Sequence, residues 1–327
     1  MLAQGAVPRK EQRMSKYGFV ASAVLGLAVC MCGNLSAQQA PPDDGIPVHM
    51  LVTVEPRHGT DVPEVKREEV MPFEGKTRDQ VTEWIPAQGD RAGLELFILI
   101  DDASGSSLGT QLDDIRKFMG AQPASTKIGV AYMQDGIAKI LQNPTPDHDQ
   151  AAKTLRLPLG MPGINGSPYF SVTDLIKRWP ASADRREVLM VSDGADPYYG
   201  AHDTNDPYLQ EAIDDAQKAG IEISAIYSPG AGHFGHSYWQ TYWGQLYLAQ
   251  ITESTGGEGY DIGFTGPPVS FTPYLDDLGR RLTHQYFLTF LAKPPKKATW
   301  VRIKLRSEIS SVDLVSAEKV WVSPEGK

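Results

Sequence analysis

The chain has 327 residues, of which 41% are hydrophobic and 22% charged, with a formal net charge of −9. That composition suits one large globular domain or two modest ones. It excludes the usual nucleic-acid-binding surface, because there is no basic block or arginine-rich face, and the acidic balance mildly favours cations.

At the N-terminus Lys16 precedes the apolar run "YGFVASAVLGLAVCMCG", followed by "NLSAQQAPPDDG". A basic start, a short apolar stretch and a small residue at Ala37 predict a signal peptide over 1–37. The run is too short and too glycine-interrupted for a confident membrane span. The expectation is a secreted, periplasmic or cell-envelope protein with no membrane span after cleavage. A retained N-terminal anchor, or a lipid on Cys30 of "LAVC", is the alternative. Both cysteines, Cys30 and Cys32, fall in this segment, so the cleaved chain would have no disulfide. Residues 38–45 are polar and proline-rich and predict a flexible leader.

Residues 46–90 predict a β-rich segment, with a strand at 46–55 and shorter strands within 66–86 around the turn "EGK". From 94 to 284 the pattern changes to strands alternating with amphipathic helices. "LELFILI", "REVLMVS" and "IEISAIYS" are near-continuous apolar runs, as expected of strands covered on both faces. "KIGVAYMQ" and "GIAKILQN" predict a hairpin. "LGTQLDDIRKFMG" places Leu108, Leu112, Ile115 and Met119 at helical spacing, and Ser167-Pro168 has the form of an N-cap followed by the first helical residue. The region from "GIAKILQN" to "GMPGING" reads as the loosest. The fold class is therefore α/β, a doubly wound and mostly parallel sheet. Residues 285–323 alternate as strands again. The simplest arrangement is a small β-sandwich-like domain built by 46–90 and 285–323 together, with the α/β domain inserted. Two separate β modules would each have a meagre core.

Ligands of open α/β sheets gather at the carboxyl ends of the strands. Three stretches arrive there: Asp102-Ala103-Ser104-Gly105-Ser106, Asn165-Gly166-Ser167, and Ser192-Asp193-Gly194-Ala195-Asp196. Carboxylates and hydroxyls without histidine or cysteine favour a hard ion, Mg²⁺ first, with Mn²⁺ or Ca²⁺ as substitutes. The structural alternative is that Asp102 caps the following turn and Ser104 or Ser106 caps the first helix. Strand alternation sends Asp101 to the opposite face from Asp102, as a structural or solvated residue. Asp196 reads as a solvated loop residue, with support of the site from behind its ligands as the alternative.

"FILIDDASGSS" followed by "VLMVSDGAD" resembles the von Willebrand factor type A (VWFA) domain and its metal-ion-dependent adhesion site. The flanking strands and leader resemble bacterial secreted VWFA-related proteins. The family pattern D-x-S-x-S falls on Asp102, Ser104 and Ser106, and its late aspartate on Asp193. Its loop Gly-Thr falls nearest Gly166-Ser167, so that serine supplies the hydroxyl, with Thr173 as the alternative. The resemblance implies a Mg²⁺ site at Asp102, Ser104, Ser106, Ser167 and Asp193, completed by a Glu or Asp of a protein partner. In that reading the protein is an adhesion or interaction protein and not an enzyme. A scaffold that has lost metal affinity is a second form of the same idea.

Gly105-Ser106-Ser107-Leu108-Gly109 also matches G-x-S-x-G, and Ser107, Asp193 and His284 follow the order of a hydrolase triad. Against this, the elbow would follow the first strand of the region, and Asp102 and Ser104 would have no role. His233 and His236, three apart, lack the further ligands of a zinc site. The aromatics after them, Tyr238, Trp239, Tyr242 and Trp243, read as packing or as a partner or carbohydrate surface.

Overall fold

The computed structural model describes residues 45–160, 166–199, 203–229, 238–263 and 268–324. The expected signal peptide and the pair His233 and His236 lie outside them. In chain order the described residues form β1 (Ile46–Pro56), β2 (Val70–Glu74), β3 (Thr77–Arg78), β4 (Gln80–Pro86), β5 (Leu94–Asp101), α1 (Leu112–Ala121), β6 (Thr126–Gln134), β7 (Ile137–Thr145), α2 (His148–Lys153), α3 (Pro168–Arg178), β8 (Arg185–Ser192), α4 (Pro207–Ala219), β9 (Ile221–Tyr227), α5 (Tyr238–Thr255), β10 (Gly259–Tyr260), α6 (Thr272–Thr283), β11 (Gln285–Ala292), β12 (Thr299–Ser307), β13 (Val312–Ser316) and β14 (Lys319–Val322).

The central sheet has the order β10-β9-β8-β5-β6-β7. All of its pairings are parallel except that of β6 with β7, a hairpin turned by Asp135 and Gly136, both at positive φ. Strand β5 alternates its apolar side chains between two cores. Phe97 and Leu99 pack with Tyr169, Val172 and Leu175 of α3, Leu209 and Ile213 of α4, and Leu248 and Ile251 of α5. Leu96, Ile98 and Ile100 pack with Leu112, Ile115 and Met119 of α1 and Leu275, Leu278 and Leu282 of α6. A sheet buried on both faces requires this unbroken apolar run, each such side chain contributing about 1.5–3 kcal/mol. The α/β class is thus the observed one.

Local chemistry sets the helix ends. Asp206 caps α4 by accepting from the N–H groups of Tyr208 and Leu209, Pro207 fills the first helical position, and Gly220 closes the helix at φ 63°.

The remaining strands form two antiparallel sheets, β13-β1-β11-β4 and β14-β12-β2-β3. Val52, Val54, Leu288 and Phe290 of the first and Val70, Ile303 and Val320 of the second share one core. Strand β1 pairs with β11 from Ile46↔Ala292 to Thr53↔Gln285, so the segments before and after the α/β region build one sandwich.

At the amino end of the parallel sheet, Glu187 of β8 and Glu222 of β9 are register partners and both are buried. Arg185, itself buried, donates to Leu282 O at 2.9 Å and to the side chain of Gln285, which in turn donates to Glu222 Oε2 at 3.0 Å. Burial pushes both carboxyls above the usual range. For Glu222 the neighbouring Glu187 adds to the rise, and Arg185 opposes it in each.

Candidate functional site

Strand β5 has β6 on one side and β8 on the other, so the direction of winding reverses between β5 and β8. Their carboxyl ends flank a topological switch point, where loops diverge and leave a crevice. Asp102 leaves β5 and Asp193 leaves β8 at this rim. The loops are stitched together there. Ser192 Oγ donates to Asp101 Oδ2 at 2.8 Å, and Gly105 N–H donates to Pro229 O at 3.2 Å. Asp101 also accepts from Ala103 N–H at 2.9 Å, which makes it a structural brace of the turn. Gly166 packs so closely on the hairpin turn that a Cβ there would lie 2.2 Å from Gly136 N. Any larger residue would push α3 off the rim.

Asp102 is 3% exposed, and its carboxylate is already surrounded by donors. Arg156 reaches it with both terminal nitrogens, Nη1 to Oδ1 at 2.7 Å and Nη2 to Oδ2 at 2.7 Å. Leu159 N–H donates to Oδ1 at 3.0 Å, and the Gln134 amide donates to Oδ2. Burial raises the Asp102 carboxyl, but Arg156, the Leu159 N–H and Gln134 together outweigh it and hold the group below its ordinary value. The loop carrying Arg156 is fastened on its other side too. Tyr132 Oη donates to Arg156 O at 2.7 Å and accepts from Arg156 N–H at 2.8 Å, and the guanidinium lies 3.9 Å from the centre of the same ring.

The other expected ligands stand as follows. Ser104 is 1% exposed, and its Oγ has no hydrogen-bond partner among the described residues. The Ser106 side chain lies outside the described residues. Ser167 caps α3 through Tyr169 N–H at 3.1 Å, worth about 1 kcal/mol, and donates its own proton to Asp196 Oδ2 at 2.5 Å. Asp193 Oδ1 accepts from Ala195 N–H at 2.9 Å. Asp196 departs from the sequence expectation. It is buried, not solvated, because it also accepts from the Tyr198 and Tyr199 N–H groups and so folds its own loop inward. Its charge, after the larger effect of burial, helps push nearby Asp206 up to about 6.

As these side chains stand, two of the expected ligands are already engaged with other partners. The main carboxylate is neutralised by a guanidinium, and the Ser167 hydroxyl is engaged with Asp196. Among the described residues no cluster of three or more His, Cys, Asp or Glu side chains could hold a metal ion; the expected set contains only two carboxylates. The hydrolase triad is not assembled either. His284 follows Leu282 and Thr283 beside Arg185, at the amino end of β8, whereas Asp193 lies beyond the carboxyl end. An eight-residue strand separates them by roughly 25 Å.

Sequence reasoning missed Arg156 and Gln134. Arg156 lies in the stretch that reads as loosest, and a lone basic residue in a loop carries no spacing signal. A second feature emerges only in three dimensions. Leu157 and Leu159, on either side of the Asp102 contact, are 52% and 59% exposed, and Tyr198, Trp239 and Tyr242 are exposed at loops and helix starts that follow β8 and β9.

No family model and no curated protein matches the chain. Solved structures overlap with it in part. An aerotolerance-related membrane protein from Bacteroides fragilis NCTC 9343 shares 12% identity at a TM-score of 0.42, over 58% of this chain and 98% of its own. BatB from Bacteroides thetaiotaomicron shares 14% at 0.41, over 58% and 98%. The VWA domain of SpRpn10 shares 14% at 0.34, over 56% and 94%. No helix among the described residues is long and apolar enough to cross a membrane.

Proposed function

We propose that the α/β domain is a protein-interaction module that docks its partner on the carboxyl rim of the parallel sheet, in the cell envelope or outside the cell. The observation that carries this is the exposure of Leu157 and Leu159 around the charged pair Asp102–Arg156. Apolar side chains held in water beside a partly exposed guanidinium match a partner segment that offers an apolar side chain next to a carboxylate. A photo-cross-linking amino acid placed at Leu159 is expected to capture a discrete protein from cell-envelope extract. The same probe at Trp321, exposed on the sandwich, is the control. Leu157→Glu should cut the Leu159 adduct at least about tenfold, the effect of losing 1.4 kcal/mol at a docking contact. Equal capture from both sites, or none, removes the reading.

A divalent-dependent form is the second reading. Mg²⁺, or Mn²⁺ or Ca²⁺, would be held by Asp102, Ser104, Ser106, Ser167 and Asp193, with a Glu or Asp of the partner completing the shell. What favours it is the buried, partnerless hydroxyl of Ser104, a donor of the kind such ions take.

A further inference from the structure

We propose that Arg156 is the resident cation of this rim, seated on Asp102 where the D-x-S-x-S motif would lead a divalent ion to sit, and that it keeps such an ion out. Three observations support this. The guanidinium contacts both oxygens of one carboxylate at 2.7 Å, the planar two-point match that a carboxylate makes with arginine and not with lysine. The contact is built into the backbone as well. The Arg156 N–H and C=O are both held by Tyr132 Oη, Leu159 N–H adds to the carboxylate, and Gly160 N–H donates to Asp102 O at 3.0 Å. Finally, Ser104 Oγ has no partner among the described residues, so the guanidinium engages the carboxylate of the D-x-S-x-S motif and leaves its first hydroxyl aside.

A guanidinium that covers both oxygens of a buried carboxylate competes with a divalent ion for it, because their charges repel at contact distance in a medium that screens poorly. The loop of Leu155 to Gly160 therefore supplies from within the chain the positive charge that a metal would bring.

The test uses the full chain and Mn²⁺ alone, followed by electron paramagnetic resonance, so it needs no partner and is separate from the docking reading. Wild type should take up no saturating equivalent of Mn²⁺. Arg156→Gln should take up one, at least about tenfold more tightly than wild type, and Asp102→Asn in that background should abolish it. Arg156→Lys, which keeps the charge but cannot cover both oxygens, should fall between the two, and it serves as the folded variant if Arg156→Gln does not fold. Wild type that binds one Mn²⁺ lost in Asp102→Asn overturns the proposal and sustains the divalent reading. Failure of both Arg156 variants to gain Mn²⁺ over wild type overturns it as well.

Discussion

Arg156→Gln is expected to lower the unfolding free energy by about 2–3 kcal/mol, measured by urea denaturation at neutral pH. Removing one partner of a buried ion pair typically costs about 3–5 kcal/mol, because the other charge is left without a counterion. The lower figure applies here because the Arg156 side chain is 32% exposed and Asp102 keeps its bonds from Gln134 and the Leu159 N–H. The companion result identifies the cause. Asp102→Asn/Arg156→Gln should recover more than half of the loss, since the stranded charge goes with its partner. If the double variant is as unstable as the sum of the singles, the pair is not what holds the loop. The pH dependence carries a definite sign. The Asp102 carboxyl is held below its ordinary value of 3.8 in the folded chain. Its stabilising contribution is therefore complete above that value and is lost as the pH falls through the lower folded value. Arg156→Gln should show a shallower acid limb than wild type.

Glu222→Gln is expected to stabilise the protein above neutral pH, by about 1–3 kcal/mol, the scale of a buried polar group that is poorly satisfied. Glu187 and Glu222 lie side by side on β8 and β9 with Arg185 as the nearby cation, and one oxygen of each carboxyl has no hydrogen-bond partner. Burial raises both above their ordinary value of 4.5. A raised carboxyl holds its proton in the folded state after the unfolded state has released it. Its contribution is thus complete below the ordinary value and is lost as the pH rises through the folded value. Wild-type stability should decline on the alkaline side of that window, and Glu222→Gln should flatten the decline, because its amide carries no charge and can still accept from Gln285 Nε2. Thermal melts of both proteins from pH 5 to pH 9 check this, and parallel curves would refute it.

Strand periodicity made most of the architecture legible. The near-continuous apolar runs at 94–100 and 188–191 read as strands covered on both faces, and helical spacing after each implied parallel winding. Asp206-Pro207 and Gly220 mark the ends of one helix by local backbone chemistry alone. The rim position of Asp102 and Asp193 followed from the same pattern, since each comes directly after a strand. Asp196 was legible only as a loop residue. Its burial depends on accepting from Ser167, which lies 29 positions away in sequence, and no local pattern encodes that meeting.

By itself the sequence determined what repeats locally: the strands, the helices, their caps, and the delivery of oxygen-bearing side chains to the carboxyl ends of β5 and β8. Only the tertiary structure decided what those side chains touch. Asp102 and Arg156 are 54 residues apart, and their pairing depends on where the chain returns after the β6–β7 hairpin and α2. A carboxylate accepts any cation that arrives in the right geometry, so its partner is chosen by which loop the packed sheet brings to it. Periodicity reports which face a residue lies on, and is silent about what the rest of the chain places opposite.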